Sequence, residues 1–184
     1  MEFIKEFREY SQDNKKPYFF KEKEIQNHLR TALGLYSRSS PIIREGKIIL
    51  IPGQTIYVLP EDYQTWYRGL ENYTITAKNI VIETSYSGTI PFLYYADRKI
   101  EEIPEKDIPL FYAYCYGEML EKKALEITEE SAAEGILKEI KLGRGLDLIF
   151  DEEKSTKEIL WQIAQNKKQE FFDGIKGRIT GSWF

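Results

Sequence analysis

The sequence predicts an α+β fold in which helices at both ends pack around a central antiparallel β-meander. Apolar residues recur at helical spacing near the N-terminus and again after residue 107. Between them, short runs rich in Ile, Val, Thr and Tyr alternate with turn residues. At 184 residues the chain is long enough for one domain, over 1–184, with a substantial core. We expect a helix–meander–helix core over 20–125, C-terminal helices over 126–172 and a flexible tail over 173–184.

Two helices are predicted before the strands. The first spans residues 2–10, where apolar side chains fall on one helical face. The second runs from about Phe20 to Leu33 and ends at Gly34, which can adopt the left-handed conformation beyond the last turn. Pro41 then forces an extended approach to the strands.

The first predicted hairpin pairs Lys47–Ile51 with Thr55–Leu59 around the turn Pro52-Gly53-Gln54. Glycine in that turn can take a positive φ. Residues 63–70 are predicted to form a third extended segment.

A second hairpin is predicted from residues 73–77 and 80–84, and Asn79 is expected to adopt the left-handed conformation of its turn. A last strand covers residues 89–95. Pro91 lacks the N–H that a ladder needs, so this strand is expected at a sheet edge or after the proline.

After the strands, Leu110–Leu125 is apolar on almost all sides in its first two turns and is predicted to be a buried central helix. Asp107 is a suitable N-cap, and Pro109 is tolerated in the first turn. Gly117 costs a helix about 1 kcal/mol relative to alanine. A close crossing with another element would explain its presence.

The last third is predicted to contain a helix over residues 132–140, a short strand over 146–150 and a final helix. Ser155–Glu158 matches a capping box, so that helix should begin near Thr156.

Composition excludes several classes of protein. The net charge is −4 and the lysines and arginines form no block longer than a pair, which argues against a sequence-independent DNA-binding surface. One cysteine allows neither an intramolecular disulfide nor a thiolate metal cluster, so a reducing compartment is expected. No signal peptide or membrane-spanning run is visible. The thirteen tyrosines suit wide protein contacts as well as a core.

No residue set predicts a catalytic, cofactor or metal site. The only histidine, His28, lies on the apolar side of its helix, and Cys115 lies in the most apolar helix, so both are interpreted as packed residues. The acidic clusters Glu129-Glu130 and Asp151–Glu153 precede predicted helices, where negative charge is favourable. Gly143–Gly145 lacks a phosphate-binding fingerprint. The sequence leaves open whether two carboxylates form a catalytic pair, because nothing in it distinguishes one pair of acidic residues from the others.

The C-terminus offers candidate docking residues. Trp183 and Phe184, with Ile179, follow a glycine-rich stretch, and aromatic anchors are typical of interfaces. These side chains are candidates for docking into a neighbouring chain; the alternative is that they fold back on their own subunit.

Residues 20–125 combine a helix with an Ala-Leu and Tyr-Ser-Arg phrase, a proline, a Gly-Gln-x-x-Tyr-x-Leu-Pro hairpin and an acid-aromatic turn. The residues of this pattern are Ala32-Leu33, Tyr36-Ser37-Arg38, Pro41, Gly53-Gln54, Tyr57, Leu59-Pro60, Asp62-Tyr63, Tyr94-Tyr95-Ala96, Ile103-Pro104-Glu105 and Gly117-Glu118. This pattern resembles that of the head–tail connector (adaptor) proteins of tailed bacteriophages. The last third of the chain is unmatched, and the long β region departs from the more helical connectors.

The resemblance implies a non-enzymatic virion protein that forms a homo-oligomeric ring, with a dodecamer as one stoichiometry, between the portal and tail or neck proteins. By the same implication it helps close the filled head, and DNA passes nearby without sequence-specific binding. From the residues themselves, neither a membrane nor a cofactor is expected. Its location would be the virion neck, and the host cytoplasm during assembly. The alternative is a small bacterial enzyme or ligand-binding domain with a pocket between the β-meander and the 110–125 helix.

Overall fold

A computed structural model describes residues 2–69, 73–76, 78–83, 86–126 and 156–176. These residues form four α-helices and two three-stranded antiparallel sheets, so the fold is α+β, as predicted. The chain divides into two compact units, one made of residues 1–33 and 103–184 and the other of residues 34–102. We call them the helical unit and the β unit. The single domain stays a prediction, as does the packing of helices around the strands.

The helices begin close to where their sequence signals lie. The prediction for the first helix is confirmed, and the final helix begins at the predicted capping box. The helices are α1 (Glu2–Tyr10), α2 (Glu22–Ser39), α3 (Ile108–Glu126) and α4 (Thr156–Lys176). Short 3-10 turns cover Ile100–Glu102 and Glu105–Asp107, so Asp107 immediately precedes α3, and Pro109 lies in its first turn. The predicted elements at 132–140 and 146–150 lie outside the described residues.

The prediction that α2 ends at Gly34 is wrong, because the helix continues to Ser39. Tertiary contacts outweigh the unfavourable helix propensity of glycine here. Tyr36 and Ser37 are 1% exposed, and the Ser37 hydroxyl accepts a hydrogen bond from the Arg98 amide at 3.0 Å. The segment from Gly34 to Ser39 is therefore the last part of a helix.

Aromatic rings attach α1 to α3 within the helical unit. The Phe7 ring lies edge-on to Phe20 and to Tyr112, with centroids 6.2 Å apart in both pairs. The Tyr112 hydroxyl donates to the Glu6 carboxylate at 2.6 Å. A nine-residue helix is too short to be stable alone, so these contacts hold it in place.

Helices α3 and α4 pack closely and antiparallel. Leu110 lies beside Gly174 at one end, and Glu121 accepts a hydrogen bond from Gln165 nearer the other. A β-carbon on Gly117 would lie 2.8 Å from the carbonyl oxygen of Ala164. The close crossing expected from Gly117 is therefore present.

In the β unit, the first sheet has the order β1-β6-β3 and the second the order β2-β5-β4. The strands are β1 (Ile42–Leu50), β2 (Ile56–Val58), β3 (Tyr63–Arg68), β4 (Thr74–Thr76), β5 (Asn79–Val81) and β6 (Gly88–Ala96).

The strands do not pair in chain order, which corrects the predicted meander and its first hairpin. β1 pairs with β6 from Ile42↔Ala96 to Leu50↔Gly88, and β2 pairs with β5. The predicted turn does form, with Gly53 at φ +83° and the Gln54 amide donating to the Ile51 carbonyl. It connects a strand of the first sheet to a strand of the second, so the two strands do not form a hairpin. Pairing with β6 lets β1 face the shared core along its length.

The second hairpin is confirmed, since β4 pairs with β5. Asn79 is not left-handed, however; it is extended within β5, opposite Val58 and Thr76. Pro91 lies inside β6, which is the central strand of its sheet. The expectation that this strand lies at a sheet edge or starts after the proline is therefore wrong. At Pro91 β6 pairs with β1, whereas the β3 ladder covers only Leu93–Ala96, so on that side no described strand needs the missing N–H.

One apolar core lies between the two sheets. Gly46 has no side chain, which leaves room for the Phe92 ring to pack against the strand. A β-carbon on Gly46 would overlap that ring. The buried members of this core are Ile48, Leu50, Tyr57, Leu59, Ile80, Ile82, Phe92, Tyr94 and Ala96.

Candidate interaction surface

The outward side of β1 carries exposed side chains of mixed character. Successive strand residues point to opposite faces, so burial of Ile48 and Leu50 turns their neighbours outward. Ile43 is 46% exposed and Ile49 is 65% exposed. We call the outward set the β1 outer row; it consists of Ile43, Glu45, Lys47 and Ile49.

The second sheet also presents apolar side chains to solvent. Tyr57 is buried, whereas its neighbours Ile56 and Val58 are 56% and 79% exposed. Val81 lies directly opposite Ile56 in the β2–β5 ladder and is half-buried. We call Ile56, Val58 and Val81 the second-sheet strip.

Hydrogen bonds hold the backbone between these two surfaces. The Tyr57 hydroxyl donates to the Gln54 carbonyl at 2.8 Å and accepts from the Ile51 amide at 3.2 Å. The Gln54 side-chain amide donates to the Ile56 carbonyl at 2.9 Å. Ile51 is itself 51% exposed. Contiguous exposed apolar side chains are typical of protein interaction sites.

The charged groups at the end of the first sheet are paired with each other. Arg44 binds the Asp62 and Glu102 carboxylates, each at 2.7 Å. The Tyr94 hydroxyl donates to Asp62 at 3.0 Å. The backbone amide of Lys99 and the Arg44 guanidinium together lower the pKa of Glu102. This network stabilises the fold of the β unit and pairs the Arg44 guanidinium within its own chain.

His28 and Cys115 are packed residues of the helical unit. The His28 Nδ1 lies 3.9 Å from a Glu118 oxygen, and partial burial lowers the pKa of the imidazole. Cys115 is fully buried, its thiol lies 3.6 Å from the Ile25 carbonyl oxygen, and burial raises the pKa of the thiol. A thiol in this state is a poor nucleophile.

A groove of about 470 Å³ lies along α1, bordered by Lys5, Glu9 and Asn14 among others. Arg8, which also lines this groove, is paired within the fold. The Arg8 guanidinium donates to Asp13 at 2.6 Å and lies 3.7 Å from the centre of the Tyr18 ring. This ion pair was not predicted from the sequence.

Most of the tyrosine surplus is accounted for by internal packing. Three described tyrosines, Tyr18, Tyr67 and Tyr86, expose more than a third of their surface. The buried tyrosines are Tyr36, Tyr57, Tyr94, Tyr112, Tyr114 and Tyr116. The surface that the structure adds to the candidates is therefore mainly aliphatic and lies on strands.

The predicted docking residues Ile179, Trp183 and Phe184 lie outside the described residues, so their role stays a prediction. The same holds for Glu129-Glu130, Gly143–Gly145 and Asp151–Glu153. Within the described ranges, the acidic, cysteine and histidine side chains form no group of three suited to a metal ion. None of the described helices is long and apolar enough to cross a membrane.

The sequence could not single out the β1 outer row, because isoleucine occurs on both faces of that strand.

Compared with known proteins, the chain matches no family model and has no significant match among curated sequences.

Proposed function

We propose that this protein is a structural virion protein of a tailed bacteriophage: a head–tail connector that forms a homo-oligomeric ring between portal and tail and helps close the DNA-filled head. The observation that carries the proposal is the exposed aliphatic surface of the β unit, formed by the second-sheet strip and its neighbour Ile51. Exposed apolar patches of this kind mark sites where proteins associate.

A ring subunit must offer two different surfaces, because each copy meets two neighbours through unlike patches. The helical unit supports this requirement with apolar residues of its own. Leu125 near the end of α3 is 67% exposed, and Trp161 near the start of α4 is 46% exposed. Because α3 and α4 are antiparallel, both residues lie at the same end of the helix pair.

The remaining parts of the proposal follow from charge and from the C-terminus. A net charge of −4 suits a channel through which DNA passes without being bound tightly. Ile179, Trp183 and Phe184 would dock onto a neighbouring subunit and strengthen the ring. The protein would assemble in the host cytoplasm and reside in the virion neck.

The test is assembly on the portal protein encoded by the same genome. Light scattering and negative-stain electron microscopy should show the protein joining the portal as a ring, even if it is monomeric alone. A protein that stays monomeric and ignores the portal at high concentration would overturn the proposal. As a matched pair, Val58→Asp should weaken assembly, whereas Thr76→Asp, at an exposed polar position of the same small sheet, should weaken it much less.

A further inference from the structure

β1 is a nine-residue edge strand. It pairs with β6 on one side, and its other edge has no backbone partner among the described residues. The unpaired N–H and C=O groups of such an edge can extend the sheet with a strand from another chain. What that other strand could be is constrained by the β1 outer row.

The β1 outer row is self-complementary about Gly46. Its order is Ile43, Glu45, Lys47, Ile49, so an acid and a base lie two residues apart between two isoleucines. In an antiparallel pair centred on Gly46, residues equally distant from position 46 face each other. Glu45 then faces Lys47 of the partner subunit, and Ile43 faces Ile49 of the partner subunit.

We propose that two copies of this chain pair through their β1 edges, antiparallel and about a two-fold axis at Gly46. Symmetry creates each favourable pair twice, which is the property of an isologous contact. Directly opposed charges of unlike sign and opposed apolar side chains both stabilise such a ladder. An in-register parallel pairing would instead place Glu45 against Glu45 and Lys47 against Lys47, so the charges favour the antiparallel form.

The other face of β1 is compatible with this register. Arg44 would lie beside Ile48 of the partner subunit, but the Arg44 guanidinium is already bound by Asp62 and Glu102 of its own subunit. The contact therefore adds no unpaired buried charge. Gly46 lies on the two-fold axis, where it faces its own copy and adds no side chain to the contact.

The inference goes beyond the proposed function and does not depend on it. It concerns the free protein, and a two-fold contact differs from the heterologous contact of a ring. A failure here would leave assembly on a portal untouched, because the experiment contains no portal.

The test is sedimentation velocity over a concentration series. The wild-type protein should reach twice the chain mass of 21.7 kDa. Glu45→Lys or Lys47→Glu alone opposes like charges at two symmetric positions and should raise the dimer Kd by roughly tenfold. The double variant Glu45→Lys/Lys47→Glu restores opposite charges and should recover the dimer. Both side chains are exposed, so circular dichroism should be unchanged in all three variants.

Disulfide trapping fixes the register independently. Mixing the Ile43→Cys and Ile49→Cys proteins under oxidising conditions should give a covalent mixed dimer, whereas neither protein alone should cross-link; the native Cys115 is buried. A wild-type protein that stays monomeric at its highest soluble concentration would overturn the inference. So would a dimer that both single charge variants leave intact, or cross-linking of Ile43→Cys with itself.

Discussion

Replacement of Gly117 by alanine tests the close packing of α3 against α4. A β-carbon at Gly117 would lie 2.8 Å from the Ala164 carbonyl oxygen and 3.2 Å from the Lys168 backbone nitrogen. Ordinary contacts begin near 3.4 Å, so the α4 backbone would have to move by about 0.6 Å, the difference between 3.4 and 2.8 Å. Backbone cannot rotate away as a side chain does.

The net effect is the balance of two opposing contributions. Alanine gains about 1 kcal/mol of helix propensity over glycine. Overpacking a well-filled contact costs about 1–3 kcal/mol. Because the obstacle is a helix backbone, we expect the upper part of that cost and a free energy of unfolding lower by about 1–2 kcal/mol.

Gly34 supplies the matched control. It also lies inside a helix, but nothing lies within 4 Å of the position of its β-carbon. Gly34→Ala should therefore raise the free energy of unfolding by up to about 1 kcal/mol. Gly174→Ala should fall between the two, because its new methyl would meet the end of the flexible Leu110 side chain.

Urea unfolding followed by far-UV circular dichroism measures all three variants, with the m-value checked for constancy. Opposite signs for Gly117→Ala and Gly34→Ala are the expected result. If Gly117→Ala stabilises the protein as much as Gly34→Ala does, α3 and α4 are not in close backbone contact and the reasoning is refuted.

Four further predictions concern the helical unit and the C-terminus. Cys115 should react with a thiol reagent only when the protein unfolds, because the thiol is buried and its pKa is raised; rapid labelling of the native protein would contradict this. The pKa of His28 is lowered mainly by burial, so the folded state favours the neutral imidazole. Its contribution to stability is complete above the unfolded pKa of about 6.5 and is lost as pH falls through the lower folded value. His28→Gln should flatten stability between pH 7 and the mildly acidic range, roughly pH 5.5, where most carboxylates still carry charge; an unchanged pH dependence would exclude His28 as its cause. Asp13→Ala should lower the free energy of unfolding by about 3–5 kcal/mol, since it leaves the buried Arg8 unpaired, whereas Asp173→Ala on the surface should have little effect. Equal effects would contradict a structural role for the buried pair. Deleting Ile179–Phe184 should weaken assembly on the portal and leave thermal stability intact; a collapse of stability would assign those rings to the core.

Local sequence signals predicted individual helices and strands better than they predicted which strands pair with each other. The capping box predicted the start of α4, and the apolar run predicted α3, because both depend on residues adjacent in sequence. The strand at Ile42–Leu50 pairs with Gly88–Ala96, and no turn chemistry specifies a pairing over that separation. The helix does not end at Gly34 because burial of Tyr36 is a tertiary effect that helix propensity does not contain.

The candidate surface was harder to predict than the fold. The aromatic residues predict docking at the C-terminus, whereas the structure adds exposed aliphatic residues on the strands. In β1, Ile43 and Ile49 differ from Ile48 only in the face they occupy, and the face is set by the pairing with β6. The outward residues of β1 can therefore be identified only when the strand pairing shows which of its residues are buried.

The division into two units has a consequence for the order in which this protein can fold. The β unit is one continuous segment, 34–102, whereas the helical unit combines residues 1–33 with residues that follow position 102. During synthesis the N-terminal helices cannot complete their packing until α3 is made, because Phe7 packs against the Tyr112 ring of α3. The β unit has all of its own strands available before that point. Its sheets can therefore form while the apolar faces of α1 and α2 are still without α3, and a delay in elongation after Glu102 would prolong the exposure of Phe7 and Ile25 in the nascent chain.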